Sequence, residues 1–160
     1  MRYDFNLFDA FRVFDKYQSG FLTLSDLRFG LNDIGVFPSY QELELFFQRY
    51  DTDKDGRLRF SEFSEAFIPR DSYAASKLNG RGSNYMRPPF YPTRDSCFET
   101  GTRFEFKDIF NTHFRVEVAA ESLRQRLQRV PLFNGYESFK TCDINEDGVV
   151  TRNEIRRLFD

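Results

Sequence analysis

The chain has 160 residues, which is long enough to bury a hydrophobic core without disulfides or metals as staples. Its formal net charge of −2 excludes a bulk electrostatic attraction to nucleic acid or to an anionic membrane surface. The two cysteines, the lack of a signal-peptide pattern and the lack of an apolar run of membrane-span length predict a reduced, cytoplasmic protein with no membrane span.

Helical periodicity dominates the first 68 residues. In the third segment, Ser39 and Glu42 form an S-x-x-E capping box, and Leu43 and Phe46 follow at helical spacing. Four helices are therefore predicted, over Asp4–Phe14, over Ser25–Ile34, from Ser39, and over Phe60–Phe67.

The segment from Pro69 to Thr102 differs in composition. It contains scattered glycines, prolines and five aromatic rings without a period, so no helix or strand is predicted there. A purely flexible linker would be poorer in aromatics. Two interpretations stay open: a loop folded back on its own lobes, or an extended strap that lies along a partner.

Helical spacing returns at about Phe104 and continues through a second helix near Ala119–Leu127. Pro131 interrupts the chain. Two more helices are predicted over Gly135–Cys142 and Arg152–Phe159.

Two stretches match the pattern D-x-[DN]-x-[DN]-G-x5-E in full, Asp51–Glu62 and Asp143–Glu154. Calcium prefers six to eight oxygen ligands, and a tight loop supplies them from alternate positions, with a glycine at the sharp turn. The predicted ligands are Asp51, Asp53, Asp55, the carbonyl of Arg57 and Glu62 in the first stretch, and Asp143, Asn145, Asp147, the carbonyl of Val149 and Glu154 in the second.

These stretches and their flanks resemble EF-hand loops, and the helix that ends at Phe14 resembles the entering helix of calmodulin-like proteins. The resemblance implies an all-α fold of two EF-hand pairs, joined by a long irregular connector. It also implies short β pairing between loops, through Leu58 and Val150. The implied divisions are a pair over 1–68, a connector over 69–102 and a pair over 103–160. Two calcium ions are expected, with magnesium as an occupant at rest.

The partner hands are expected to be degenerate. The loop Asp15–Asp26 has Tyr17 in place of an acid at its third position, and the closing Asp26 is one methylene shorter than glutamate. This loop is expected to keep its fold and to hold calcium poorly. Asn111–Ser122 has no glycine at the turn and no aspartates at the ligand spacing, which predicts a relic hand of two helices and a shortened or rebuilt loop that binds no ion.

The ninth position distinguishes the two complete loops. It is Thr151 in the last loop, which can position a water on the ion, but Arg59 in the other. A guanidinium cannot be a ligand and repels a cation if it stays close. Alternatively, Arg59 swings into solvent.

No nucleophile with a neighbouring base is evident, so an enzyme is not expected. The favoured hypothesis is a calcium-binding structural or adaptor component of an intracellular protein assembly, cytoskeletal or ciliary, with microtubule-associated proteins among its partners. The cytoskeletal or ciliary setting is implied by a general resemblance of the sequence to the EF-hand proteins of ciliary axonemes, and not by a specific motif. The alternatives are a calmodulin-like sensor that exposes apolar grooves to a target helix, and a calcium buffer.

Overall fold

A computed structural model describes residues 3–83 and 98–159, and its contacts divide the chain into two compact units, Met1–Ala119 and Ala120–Asp160. The predicted all-α class with short β pairing is confirmed. The elements are α1 (Leu7–Arg12), β1 (Phe21–Thr23), α2 (Leu24–Asp33), α3 (Tyr40–Tyr50), β2 (Arg57–Arg59), α4 (Phe60–Glu65), α5 (Ser72–Asn79), α6 (Thr100–Gln128), α7 (Gly135–Cys142) and α8 (Arg152–Arg157).

The first two hands form a pair through β1 and β2. The strands run antiparallel with Leu22 opposite Leu58, and both leucine side chains are fully buried. The predicted capping box starts α3, where the Ser39 hydroxyl accepts from the Glu42 N–H and the Ser39 N–H donates to the Glu42 carboxylate. Local sequence signals therefore position both loops of this pair as expected.

The prediction that the connector contains no helix was wrong, because α5 occupies Ser72–Asn79. The Asp71 carboxylate accepts from the Ala74 N–H at 2.8 Å and caps this short helix. Only Leu78 of α5 is buried, so the apolar periodicity that would have revealed the helix is nearly missing.

The described ends of the connector lie on the first unit. The Arg81 Nη1 donates to the Phe5 carbonyl, the Glu99 N–H donates to Asp4, and the Phe98 ring is buried. These ends agree with a segment folded back on its own lobe. Residues 84–97, where the alternative of a strap would apply, are outside the described residues.

The prediction of a relic hand was also wrong. The single helix α6 runs through 29 residues and includes all of Asn111–Ser122, where two helices and a rebuilt loop were predicted. The chain contains no glycine or proline between Gly101 and Pro131, so nothing in the local sequence breaks the helix. The division into 1–68, 69–102 and 103–160 stays a prediction.

The first half of α6 completes the core of the first unit. Phe106, Phe110 and Phe114 recur every four residues and are buried on one face of the helix. The Phe110 ring contacts five other rings at centroid distances of 5.3–6.2 Å, those of Phe14, Phe46, Phe67, Phe106 and Phe114. The apolar side of the hand pair is thus covered by a helix from the same chain.

Polar contacts hold α6 in register on the hand pair. The single histidine, His113, lies between the Tyr50 hydroxyl, 3.1 Å from Nδ1, and the Ala66 carbonyl, 3.0 Å from Nε2. One turn further along, Glu117 is buried and forms an ion pair with Arg49 at 3.0 Å. Tyr50 is the last residue of α3 and directly precedes Asp51, so this contact lies next to the start of the second loop.

The last hand lies in the second unit. Asn134 caps α7, and Thr151 and Glu154 form a capping box at the start of α8. Several apolar side chains of this hand are exposed among the residues described, including Phe139, Ile155 and Phe159. Val150 lies in no strand of the described chain, so the pairing expected for its loop is not seen there.

We expect Phe110→Ala to lower the free energy of unfolding by about 3–5 kcal/mol, because it removes a fully buried ring from the centre of the aromatic cluster. Phe104→Ala is the matched control, since Phe104 is on the same helix but 72% exposed, and its effect should stay within about 0.5 kcal/mol. Urea unfolding followed by circular dichroism measures both. Equal effects would show that α6 does not dock on the hands.

Candidate metal centres

Three loops share one backbone conformation. Residues at the fourth loop position have a left-handed φ, and so do the glycines at the sixth. The fourth-position values are 55° for Gln18, 58° for Lys54 and 56° for Glu146, and the sixth-position values are 81° for Gly20, 76° for Gly56 and 81° for Gly148. The degenerate first loop therefore keeps the fold, as the sequence predicted.

The first aspartate of each loop organises this backbone. In the second loop, the Asp51 carboxylate accepts from the Asp55 N–H at 3.2 Å and from the Gly56 N–H at 2.9 Å. Asp143 makes the equivalent bonds in the last loop at 3.2 and 2.8 Å. Asp15 does the same in the first loop at 2.8 and 2.9 Å. These bonds explain why the loop folds without a complete ligand set.

The twelfth residue separates the complete loops from the degenerate one. Glu62 joins both ends of its loop, since Oε1 accepts from the Thr52 N–H and Oε2 from the Arg59 N–H, each at 3.0 Å. Glu154 likewise accepts from the Ile144 N–H at 3.1 Å and from the Thr151 N–H at 2.8 Å.

The shorter Asp26 reaches one end only. Its Oδ2 accepts from both the N–H and the hydroxyl of Thr23, at the ninth position. The N–H at the second position, Lys16, donates to the Phe14 carbonyl instead. The missing methylene therefore leaves this carboxylate at the start of α2, away from the entrance of the loop.

The second loop fits calcium in its donor set. Asp51, Asp53 and Asp55 each place a carboxylate oxygen so that the three atoms lie within 4.8 Å of one another. Ligand oxygens about 2.3–2.6 Å from one ion are separated by up to about 5 Å, so these three can share an ion. Glu62 closes the loop from the first turn of α4, where it would supply further oxygens. The Arg57 carbonyl stays a predicted ligand.

The last loop has the same frame with a neutral amide in place of one acid. Asn145 Nδ2 donates to Asp147 Oδ2 at 2.8 Å, and Asp147 Oδ1 accepts from the Val149 N–H at 2.8 Å. Asp143 and Glu154 are both buried, so their carboxylates are held in place beneath the loop. The roles of these residues and of the Val149 carbonyl as ligands stay predictions.

Several carboxylates are held in the charged form that a cation requires. Desolvation raises the pKa of Glu62, but hydrogen bonds from Arg59 and Thr52 outweigh it, and the pKa is lowered. The Thr151 hydroxyl and N–H lower the pKa of Glu154. The pKa of Asp53 is lowered against desolvation by the Asp55 N–H and the Arg59 guanidinium.

Arg59 does not swing away from the second loop. Its Nη1 donates to Asp53 Oδ2, and its Nη2 donates to Asp55 Oδ2 at 2.7 Å. The guanidinium thus bridges two of the predicted ligands. The sequence left this arrangement and the solvent-facing alternative open, because the rotamer of a long side chain is not encoded in the spacing of the motif.

Comparisons with known families agree with this geometry. An EF-hand domain pair matches residues 4–68, and a further EF hand matches residues 137–159. The chain belongs to the EF-hand calcium-binding superfamily, and it is a calcium-binding EF-hand protein.

Curated relatives match part of the chain. Calcium-binding protein 7 of Rattus norvegicus is 32% identical over 77 residues, which are 48% of this chain and 36% of that protein. Calcium-binding protein 8 of Homo sapiens is 37% identical over 62 residues, which are 39% and 24% of the two chains. Calcium-dependent protein kinase 7 of Arabidopsis thaliana is 41% identical over 64 residues, 39% and 12% of the two chains. Each match thus covers at most 36% of the relative's own length.

Among the helices that the structure describes, none combines the length and the apolar character needed to cross a membrane.

We expect Glu62→Gln to reduce the calcium stoichiometry from two ions to one, and Glu154→Gln to remove the other ion. The amide replaces one ligand oxygen with an NH2 group and removes the negative charge, while the size is preserved. Isothermal titration calorimetry counts the ions, with Glu65→Gln on the same helix as Glu62 as the control. A variant at either loop glutamate that still binds two ions would contradict the site assignment.

We expect Asp15→Ala to leave the stoichiometry at two, because its loop has no carboxylate that joins both ends. The variant should still lower the free energy of unfolding by about 0.5–1.5 kcal/mol, since the Ser19 and Gly20 N–H groups lose their acceptor. Asp51→Ala, at the same position of a complete loop, is the comparison and should lose one ion. Loss of an ion in Asp15→Ala would show that the first loop binds calcium.

Proposed function

We propose that the chain is a calcium-binding adaptor that joins protein partners, and that its first hand pair acts as a fixed clamp on its own helix α6. The observation that carries this proposal is the burial of the phenylalanine face of α6 on the apolar side of that pair. In a calmodulin-like sensor, this apolar side is where a separate target helix docks after calcium binding.

The packing supports a helix that is held permanently. Phe106, Phe110 and Phe114 are between 0% and 4% exposed, as deeply buried as the residues of the hands themselves. Each such ring contributes about 1.5–3 kcal/mol by burial. A target helix from another protein would first have to displace these three rings.

Tethering adds to this advantage. Because α6 is covalently linked to the hands, its effective concentration at the groove is about millimolar or higher, whereas a separate target must compete from solution. The ion pair of Arg49 with buried Glu117 and the contacts of His113 select one register for α6. Calcium at the Asp51 loop would then stabilise the clamped arrangement through the adjacent Tyr50.

The proposal includes that the protein has no catalytic activity. The cytoskeletal or ciliary setting, the microtubule-associated partners, the number of bound ions and the occupancy by magnesium stay predictions from the sequence. The exposed Phe139, Ile155 and Phe159 of the last hand support a protein partner, because they present apolar surface that the first hand pair covers at the corresponding positions.

The clamp is tested by segment-resolved hydrogen exchange of the full chain, with and without calcium, in millimolar magnesium. We expect the amides of residues 104–117 to stay protected in both states, because the buried face of α6 does not leave the hands. A dye for apolar surfaces alone would not suffice, since the exposed residues of the last hand bind it without any opening. Phe110→Ala, with faster exchange in α6, calibrates the loosened state.

The two functions give different results. If calcium leaves the protection of α6 unchanged or increases it, the first pair is a clamp and the adaptor proposal is supported. If calcium accelerates exchange across residues 104–117 to the rate of Phe110→Ala or beyond, α6 is released. The groove would then be open to a target, and the sensor would replace the adaptor.

A further inference from the structure

The second loop carries a cation of its own. The Arg59 guanidinium lies at the mouth of the loop and bridges Asp53 and Asp55, while its side chain remains half exposed. A guanidinium stays protonated in proteins, so Arg59 is charged throughout the pH range in which the acids of the loop are ionised.

Arg59 engages the same groups that calcium requires. Asp53 and Asp55 each accept Arg59 on Oδ2, and their Oδ1 atoms accept the N–H groups of Asp55 and Arg57. All four oxygens thus already accept a hydrogen bond. An ion that enters must share or displace the bidentate guanidinium, and an arginine held by two carboxylates is a stronger competitor than a single charged contact.

The last loop has no such competitor at this position. Thr151 is neutral, and its hydroxyl donates to Glu154 at 2.7 Å. The residue equivalent to Asp53 there is Asn145, itself a predicted ligand, and its amide donates directly to Asp147, the equivalent of Asp55. The two complete loops therefore differ by one internal cation and by one acid, Asp53 against Asn145, although their backbones and closing glutamates are alike.

We propose that Arg59 is an affinity-setting residue: an internal cation that holds the Asp51 loop in its folded form without calcium and must be displaced when calcium binds. The calcium concentration that fills this loop is thereby raised. This inference rests on calcium binding by the loop and goes beyond it. Since the side chain is half exposed, Arg59 can move into solvent without unfolding β2 or α4.

The test uses two matched variants of the full chain, Arg59→Gln and Lys54→Gln. Both remove one positive charge near the second loop, but Lys54 is not a predicted ligand, is exposed, and has no bond to the loop acids among the contacts described. The first loop carries a glutamine, Gln18, at the same position with the same left-handed φ, so this control fits the backbone. The probes are the amide resonances of Gly56 and Gly148, because each N–H donates to the first aspartate of its own loop. One calcium titration thus reports the two sites separately.

We expect Arg59→Gln to tighten calcium binding at Gly56 by about tenfold, because two carboxylates lose a competing ion pair. Binding at Gly148 should not change. Lys54→Gln should change binding at Gly56 by less than about threefold, since a charge that is not bonded to the ligands acts only through the screened field.

Equal effects of Arg59→Gln and Lys54→Gln at Gly56 would overturn the proposal, because general charge and not displacement would then set the affinity. Unchanged affinity in Arg59→Gln would overturn it as well. If Gly56 responds to calcium in none of the proteins while Gly148 does, calcium binding by the second loop is itself wrong, and this inference falls with it. These results are distinguishable because Gly148 reports in every sample.

Discussion

The phenylalanine face of α6 lies on the apolar side of the first two hands, and the arrangement of the first unit depends on that contact. An EF-hand pair buries its loop leucines between the strands, but the inner faces of its four helices need a cover. Here Phe110 and its neighbours on α6 provide the cover within the chain. The hands are therefore not left with an apolar groove on the side where α6 lies.

The three loops share one fold although their closing carboxylates differ. Asp15, Asp51 and Asp143 each bind the same two backbone N–H groups, so all three loops adopt one shape. The loops differ in whether the closing carboxylate joins both ends of the loop. Glu62, which is one methylene longer than Asp26, accepts from the N–H at the second loop position, whereas Asp26 accepts only at the ninth.

The charges around the second loop suggest how calcium affinity can be adjusted without a change in the ligand set. The pattern of acids is complete, yet a neighbouring arginine neutralises part of it when no divalent ion is present. Such a counter-charge relieves the repulsion among Asp51, Asp53 and Asp55. Arg59 thereby stabilises the calcium-free loop and competes with calcium for its carboxylates. The same residue favours folding of the loop and weakens calcium binding.

The sequence by itself determined the all-α class, the two complete loops with Asp51 and Asp143 at their starts, the degenerate loop at Asp15 and most helix boundaries. These features depend on contacts between residues at most about a dozen positions apart, which spacing reports directly. Only the tertiary structure decided that α6 covers the first hand pair and that Arg59 bridges Asp53 and Asp55. The periodicity of Phe106 and Phe110 predicts a buried face but not its partner, because docking joins residues far apart in sequence, such as Phe106 with Phe67 and with Phe5. The relic hand was expected from an analogy between repeats, whereas the absence of a helix breaker before Pro131 decided the local structure.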